Sequence, residues 1–172
     1  MNYHLPISSE RIDYQQLGTA DYDAWVEFFV DNPMLPYVGI SQPGDPVEEA
    51  KKWVNRQLNR YIDNGWGYLK MVEKTTGEVV GHTGLLLREI DGQEQLEIGY
   101  SIKPRFWRMG YASEASQRMK AYMVEHKVMD KAISIIHFDN IGSQRVAERN
   151  GMTRGREWEY MGMPVYIYEA DL

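Results

Sequence analysis

The stretch richest in chemical potential runs from Leu96 to Ala115, LEIGYSIKPRFWRMGYASEA. An alternating apolar run ends at Tyr100-Ser101-Ile102, Pro104 turns the chain, and Gly110-Tyr111-Ala112 opens a helical pattern. A strand that passes through a Gly into a helix presents unpaired backbone N–H groups at the positive end of the helix dipole. Such a junction binds anions, and a pyrophosphate suits it. Gly110 lets a phosphate approach the backbone, Ala112 is small for the same reason, and Arg105 and Arg108 add positive charge at the mouth. Further on, Asn140 and Ser143 stand where an Ile-rich strand pattern hands over to a short helix, and Asn140 is a natural cap for it.

The elements that must position these residues follow from periodicity. Ile7–Leu17 reads as a first strand and Ala20–Val30 as a helix, with Thr19 as its cap. The segment from Asn32 to Gly44 is rich in Pro and Gly and reads as a long loop. Pro46–Ile62 is a helix with Asp45 as cap, Glu48 completing a capping box, and Val47, Ala50, Val54, Leu58 and Tyr61 as its apolar stripe. Gly67–Glu73, Val79–Leu87 and Gln95–Ile102 form an antiparallel meander, because Thr76-Gly77 and Asp91-Gly92 are hairpin turn signals. Then come a helix over Met109–His126, a strand over Ala132–Phe138, and a helix over Ser143–Asn150 that ends at Gly151. Two closing strands, Met152–Tyr160 and Pro164–Ala170, complete an α/β-type mixed sheet with helices on its faces.

Composition removes several classes. The chain of 172 residues carries a formal charge of -6, against the basic footprint that nucleic-acid binding needs. That acidity mildly favours a cationic substrate. There is no cysteine, which excludes a disulfide scaffold, thiolate metal sites and a Cys nucleophile. His4, His82, His126 and His137 lack metal-ligand spacing, so no metal is implied. Met1–Glu10 lacks the pattern of a signal peptide and no apolar run is long enough for a membrane span, so the expectation is a cytoplasmic protein.

Leu96–Ala115 resembles the acetyl-CoA-binding core of the GNAT N-acetyltransferase superfamily, above all the branch of ribosomal-protein N-terminal acetyltransferases. Members of that branch show a strand like EIGY, a Pro, and a run like W-G-x-G-Y-A-T-E-A. This chain has Glu97-Ile98-Gly99-Tyr100, Pro104, and Trp107-Arg108-Met109-Gly110-Tyr111-Ala112-Ser113-Glu114-Ala115. The family's N-x-x-S-x-R-V-x-E-K-x-G-F is similar to the run from Asn140 to Met152. Two departures stand out. The first Gly of the phosphate loop is Arg108, and the position where many members carry a Tyr general acid is Ala147.

The resemblance implies a single domain over residues 1–172, with a mostly antiparallel twisted sheet of about seven strands and about four helices. It implies acetyl transfer from acetyl-CoA to a primary amine, on a small molecule or a peptide N-terminus. Arg105 and the run from Arg108 through Met109, Gly110, Tyr111, Ala112 and Ser113 would hold the phosphates. Tyr100, Ser101 and Ile102 would bond the pantetheine in a V-shaped gap beside Ala132–Phe138, assisted by Asn140 and Ser143. An N–H there would polarise the thioester carbonyl. Gly99 suggests a bulge or a close backbone approach that opens the gap.

An attacking amine must lose a proton, and a base of the right kind is worth roughly 10²–10⁴-fold. Glu97, on the strand face it shares with Ser101, is the candidate base; Ser143 is the candidate acid for the leaving thiolate. The alternative class is a non-catalytic acyl-CoA-binding sensor or interaction module. Homodimerisation, common in the family, is compatible with the sequence.

Overall fold

The computed structural model describes residues 3–172. Its backbone builds one sheet of eight strands in the order β1-β2-β3-β4-β5-β6-β8-β7. These are β1 (Ile7–Ser8), β2 (Ile12–Gln16), β3 (Gly67–Glu73), β4 (Val79–Ile90), β5 (Gln93–Ile102), β6 (Lys131–His137), β7 (Thr153–Tyr160) and β8 (Met163–Asp171). The helices are α1 (Tyr22–Val26), α2 (Pro46–Asp63), α3 (Tyr111–Glu125) and α4 (Ile141–Arg149). Neighbouring strands pair antiparallel except β5 and β6, which are parallel. No helix among the described residues is long and apolar enough to cross a membrane.

Alternation along the strands builds two cores. Leu69, Met71, Leu85, Leu96 and Ile98 point to one face, where Ala115, Met119 and Met123 of α3 and Ala147 of α4 cover them. Tyr68 and Leu86, one residue out of phase, point to the other, against Trp25 of α1 and Ala50, Trp53 and Val54 of α2. Trp25 stacks on His82 with ring centroids 3.6 Å apart, and Trp53 Nε1 donates to His82 Nδ1 at 3.1 Å. Burial pushes the His82 imidazole well below its usual range, so it serves this core as a neutral acceptor.

The structure departs from the sequence reading at several points. The first strand is a small hairpin, because a turn at Ser9-Glu10 folds β1 back on β2 with Ile7 opposite Tyr14; this raises the strand number from the expected seven to eight. The helix expected at Ala20–Val30 is only α1, flanked by 3-10 turns at Thr19–Asp21 and Glu27–Phe29 that wind more tightly at both ends. Gly18, not Thr19, caps that segment, its N–H bonded to Asp21 Oδ2. Asp45 does cap α2, accepting from the N–H groups of Val47 and Glu48, but Glu48 pairs with Lys51 rather than closing a capping box, and Val47 is exposed.

Candidate active site

The site arises where two parallel strands part. β5 and β6 are in register only at Leu96–Ala132 and Glu97–Ile133. Just beyond, Ser134 Oγ donates to the Ile98 carbonyl at 2.8 Å, a side-chain rung at the apex of the fork. From there to Ile102, β5 has no strand partner on its β6 side. Gly99 opens the fork on its other side by close approach, since a Cβ there would fall 2.8 Å from Tyr68 Cε1 and 3.0 Å from its Cζ. The β4–β5 register runs unbroken through Gly84–Gly99, so no bulge is involved.

Two cavities open from the fork. The larger, of about 750 Å³, runs between β5, the α3 N-terminus and α4. Tyr100, Ser101, Ile102, Arg108, Gly110, Tyr111, Ala112, Ser113, Asn140 and Ser143 all line it. The loop before α3 has two left-handed positions, Gly110 at φ 85° and Arg108 at φ 64°. The first-turn amides of α3 lack partners within the helix and point along its dipole. Three arginines, Arg108, Arg145 and Arg149, and no carboxylate line this cavity. Its floor is apolar, formed in part by Phe28, Ile102, Phe106 and Val146. Ser101 Oγ is buried beside it with no hydrogen-bond partner among the described residues. Polyphosphate at the helix end and a polar arm along the free edge of β5, as in acyl-CoA, match this set of donors.

Two of the expected residues lie elsewhere. The Arg105 side chain turns to Glu27 at 2.6 Å and Glu78 at 3.0 Å, because those surface carboxylates face it across the sheet end. Met109 is exposed, and its carbonyl accepts from Arg11 Nη1 at 3.0 Å. Arg11 itself escaped the sequence reading. It binds Glu114 and lies over the Tyr111 ring at 4.4 Å, bracing the loop from behind. Arg145 and Arg149 were visible as motif letters, and only the fold of α4 turns them to the cavity. Ala147 is buried in the core, off the cavity.

The smaller cavity, of about 120 Å³, lies toward α2, with Trp53, Gln57 and Arg60 on one wall and Tyr68, Arg88 and Glu97 of the sheet on another. Glu97 is buried, and its Oε2 accepts from Arg88 Nε at 2.6 Å. The two cavities share four lining residues: Val38, Tyr100, Asn140 and Ser143. Asn140 caps α4 through the Ser143 N–H at 3.1 Å. The Tyr100 hydroxyl donates to the Ser143 carbonyl at 3.1 Å, which ties β5 to α4 where the cavities meet. Burial raises the Tyr100 phenol above its usual value, so it stays protonated there.

β5 and β6 part beside the N-terminus of α3, the arrangement that the resemblance to the GNAT superfamily implies. Residues 11–153 match the family model described as an acetyltransferase (GNAT) domain. The chain therefore belongs to the GNAT acetyltransferase family, whose members move an acyl group from acyl-CoA to an amine. It is 28% identical over 173 residues to the Bacillus subtilis (strain 168) protein YkkB, covering 98% of this chain and 97% of the relative. A putative ribosomal-protein-serine acetyltransferase from Vibrio cholerae superposes with TM-score 0.81 at 17% identity over 100% of both chains. The ribosomal L7/L12 alpha-N-protein acetyltransferase RimL, solved in complex with coenzyme A, superposes with TM-score 0.71 at 17% identity over 98% of each chain.

Proposed function

We propose that this chain, as one domain, transfers the acetyl group of acetyl-CoA directly to a primary amine held in a ternary complex. The observation that carries this reading is the pair of cavities that meet at Val38, Tyr100, Asn140 and Ser143. Acetyl-CoA supplies the thioester carbon that the amine attacks. Around it, the α3 N-terminus, Arg108, Arg145 and Arg149 hold phosphate charge, and the free edge of β5 with Ser101 Oγ holds the pantetheine. A backbone N–H of Tyr100–Ile102 faces the thioester carbonyl oxygen and stabilises charge there. Glu97, in the acceptor cavity, takes the amine proton, directly or through one water. The Ser143 hydroxyl returns a proton to the departing sulfur, in place of the tyrosine that Ala147 lacks. Holding donor and acceptor together supplies much of the rate.

The test is acetyl-CoA binding by calorimetry, followed by thiol release with a panel of primary amines. Arg108→Glu serves as the binding control, because its carboxylate repels phosphate. Gly110→Asp suits this purpose less, since Gly110 has φ 85° and a Cβ there would sit 3.4 Å from Arg11 Nη2. Binding lost in Arg108→Glu, with amine-dependent turnover by the wild type, is the expected result. Binding without turnover identifies a non-catalytic acyl-CoA module, and no binding overturns the reading altogether.

A further inference from the structure

The wall of the smaller cavity carries charge that the acetyl-transfer reading leaves unused. Arg56, Arg60 and Arg88 line it, against the single carboxylate of Glu97. Glu97 is committed to Arg88. Among the described residues neither Arg56 nor Arg60 has an ion-pair partner. In a chain of net charge -6, this is a local excess of positive charge at the place where an amine must enter.

Arg60 is held for a purpose other than neutralisation. Its Nη1 donates to Gln57 Oε1 at 3.0 Å, and the Tyr68 N–H donates to the same oxygen at 3.1 Å. Gln57 is buried, and its Nε2 is anchored on the Trp53 carbonyl at 3.3 Å. A neutral, rigid partner thus aims the guanidinium without cancelling its charge. Burial, and then the charge of Arg88, lower the affinity of Arg60 for its proton, and the attraction of an anion beside it offsets them. Arg56 precedes Arg60 by one helical turn and extends the same positive rim.

We propose that this cavity recognises an anionic group on the acceptor, so that the substrate is a small primary amine bearing a carboxylate or a phosphate. The anion sits on Arg60 and Arg56, and the amine faces Glu97 and the junction with the donor cavity. A guanidinium fork matches either oxyanion in two-point fashion. The cavity, of about 120 Å³, is small, which favours a compact acceptor. This local charge runs against the cationic acceptor that overall acidity suggests. The inference rests on the proposed function for the amine end, and its anion end is testable without chemistry.

The experiment titrates CoA-saturated protein, in which no transfer can occur, with matched ligands by calorimetry. O-phosphoethanolamine and ethanolamine form one pair, and β-alanine and propylamine another, with further ω-amino carboxylates and free amino acids as a series. The same ligands are titrated into Arg60→Gln and Arg56→Gln, whose affinity for CoA itself reports an intact fold. Members that bear the anion are expected to bind roughly tenfold or more tighter than their partners that lack it, and Arg60→Gln to remove that advantage. The phosphate and carboxylate arms show which oxyanion the site takes. If no amine bearing the anion binds, if the amines lacking it bind equally well, or if Arg60→Gln changes nothing, the proposal is overturned. Turnover with acetyl-CoA is a separate readout, so acetyl transfer only to amines lacking an anionic group would sink the anion site and leave the transferase standing.

Discussion

Arg11 and Glu114 meet across the molecule twice: Arg11 Nε lies 2.7 Å from Glu114 Oε2, and the Arg11 backbone N–H lies 2.8 Å from Oε1. Ser9 Oγ adds a third donor at 2.7 Å. The β1–β2 turn is thereby fastened to the first turn of α3, directly behind the loop that faces the larger cavity. Arg11 also holds the Met109 carbonyl, so one side chain fixes the loop on both sides of Gly110.

Burial opposes the Glu114 charge, but these donors outweigh it and hold the carboxyl below its ordinary value. A depressed carboxyl stabilises the fold above its unfolded pKa, near 4.3, and that contribution is lost as pH falls through the lower folded value. Glu114→Gln is expected to cost about 1–2 kcal/mol at pH 7, with the gap to wild type closing below about pH 4. Thermal melts of both proteins across pH check this. A gap that stays constant from pH 7 to pH 3 contradicts it.

Arg108 occupies a left-handed conformation that costs a side-chain-bearing residue about 1 kcal/mol. Arg108→Gly is expected to recover about that stability while weakening acetyl-CoA binding several-fold, because the cavity loses one of its three arginines. Denaturant melts and calorimetry on the same preparation separate the two effects. Unchanged affinity would remove Arg108 from the phosphate site.

Glu97→Gln should lower turnover by roughly 10²–10⁴-fold if Glu97 is the base. It also strands Arg88, at a cost of about 3 kcal/mol, since both partners are mostly buried. Adding Arg88→Met to Glu97→Gln should restore much of the stability and none of the activity. If the double variant recovers turnover along with stability, Glu97 is a structural partner of Arg88 and not the base.

Gly99→Ala places a methyl against the Tyr68 ring, which is itself buried. The expected loss is about 1–3 kcal/mol, with a larger fall in acceptor binding than in acetyl-CoA binding, because Tyr68 lines the smaller cavity alone. Combining Gly99→Ala with a smaller residue at Tyr68 should return stability. A variant as stable as wild type would show that the ring moves aside freely.

How much of this was legible in the sequence depended on the range of the interaction. Asp45 caps α2 two and three residues away, and the turn residues at Gly77 and Gly92 act locally, so both were readable. The loop and helix start at Gly110 were readable as well, because a motif confines them to a few consecutive letters. Arg11 was not, since its partner Glu114 lies 103 positions away. Arg105 misled for the converse reason: proximity in sequence to the loop says nothing of Glu27 and Glu78, which claim its side chain. Arg56 and Arg60 carried no signal at all, because charged residues one turn apart on a helix ordinarily face water. Only the packing of α2 over Tyr68, with Gln57 of the same helix holding Arg60, turns that pair toward the fork.

The placement of the two cavities bears on the kinetics of a full cycle. They meet around Val38, Tyr100, Asn140 and Ser143 and otherwise have separate linings. Under the proposed function, spent CoA and the acylated amine leave by separate doors, and neither has to wait for the other. The order of product release is then free, and each product competes only with its own precursor.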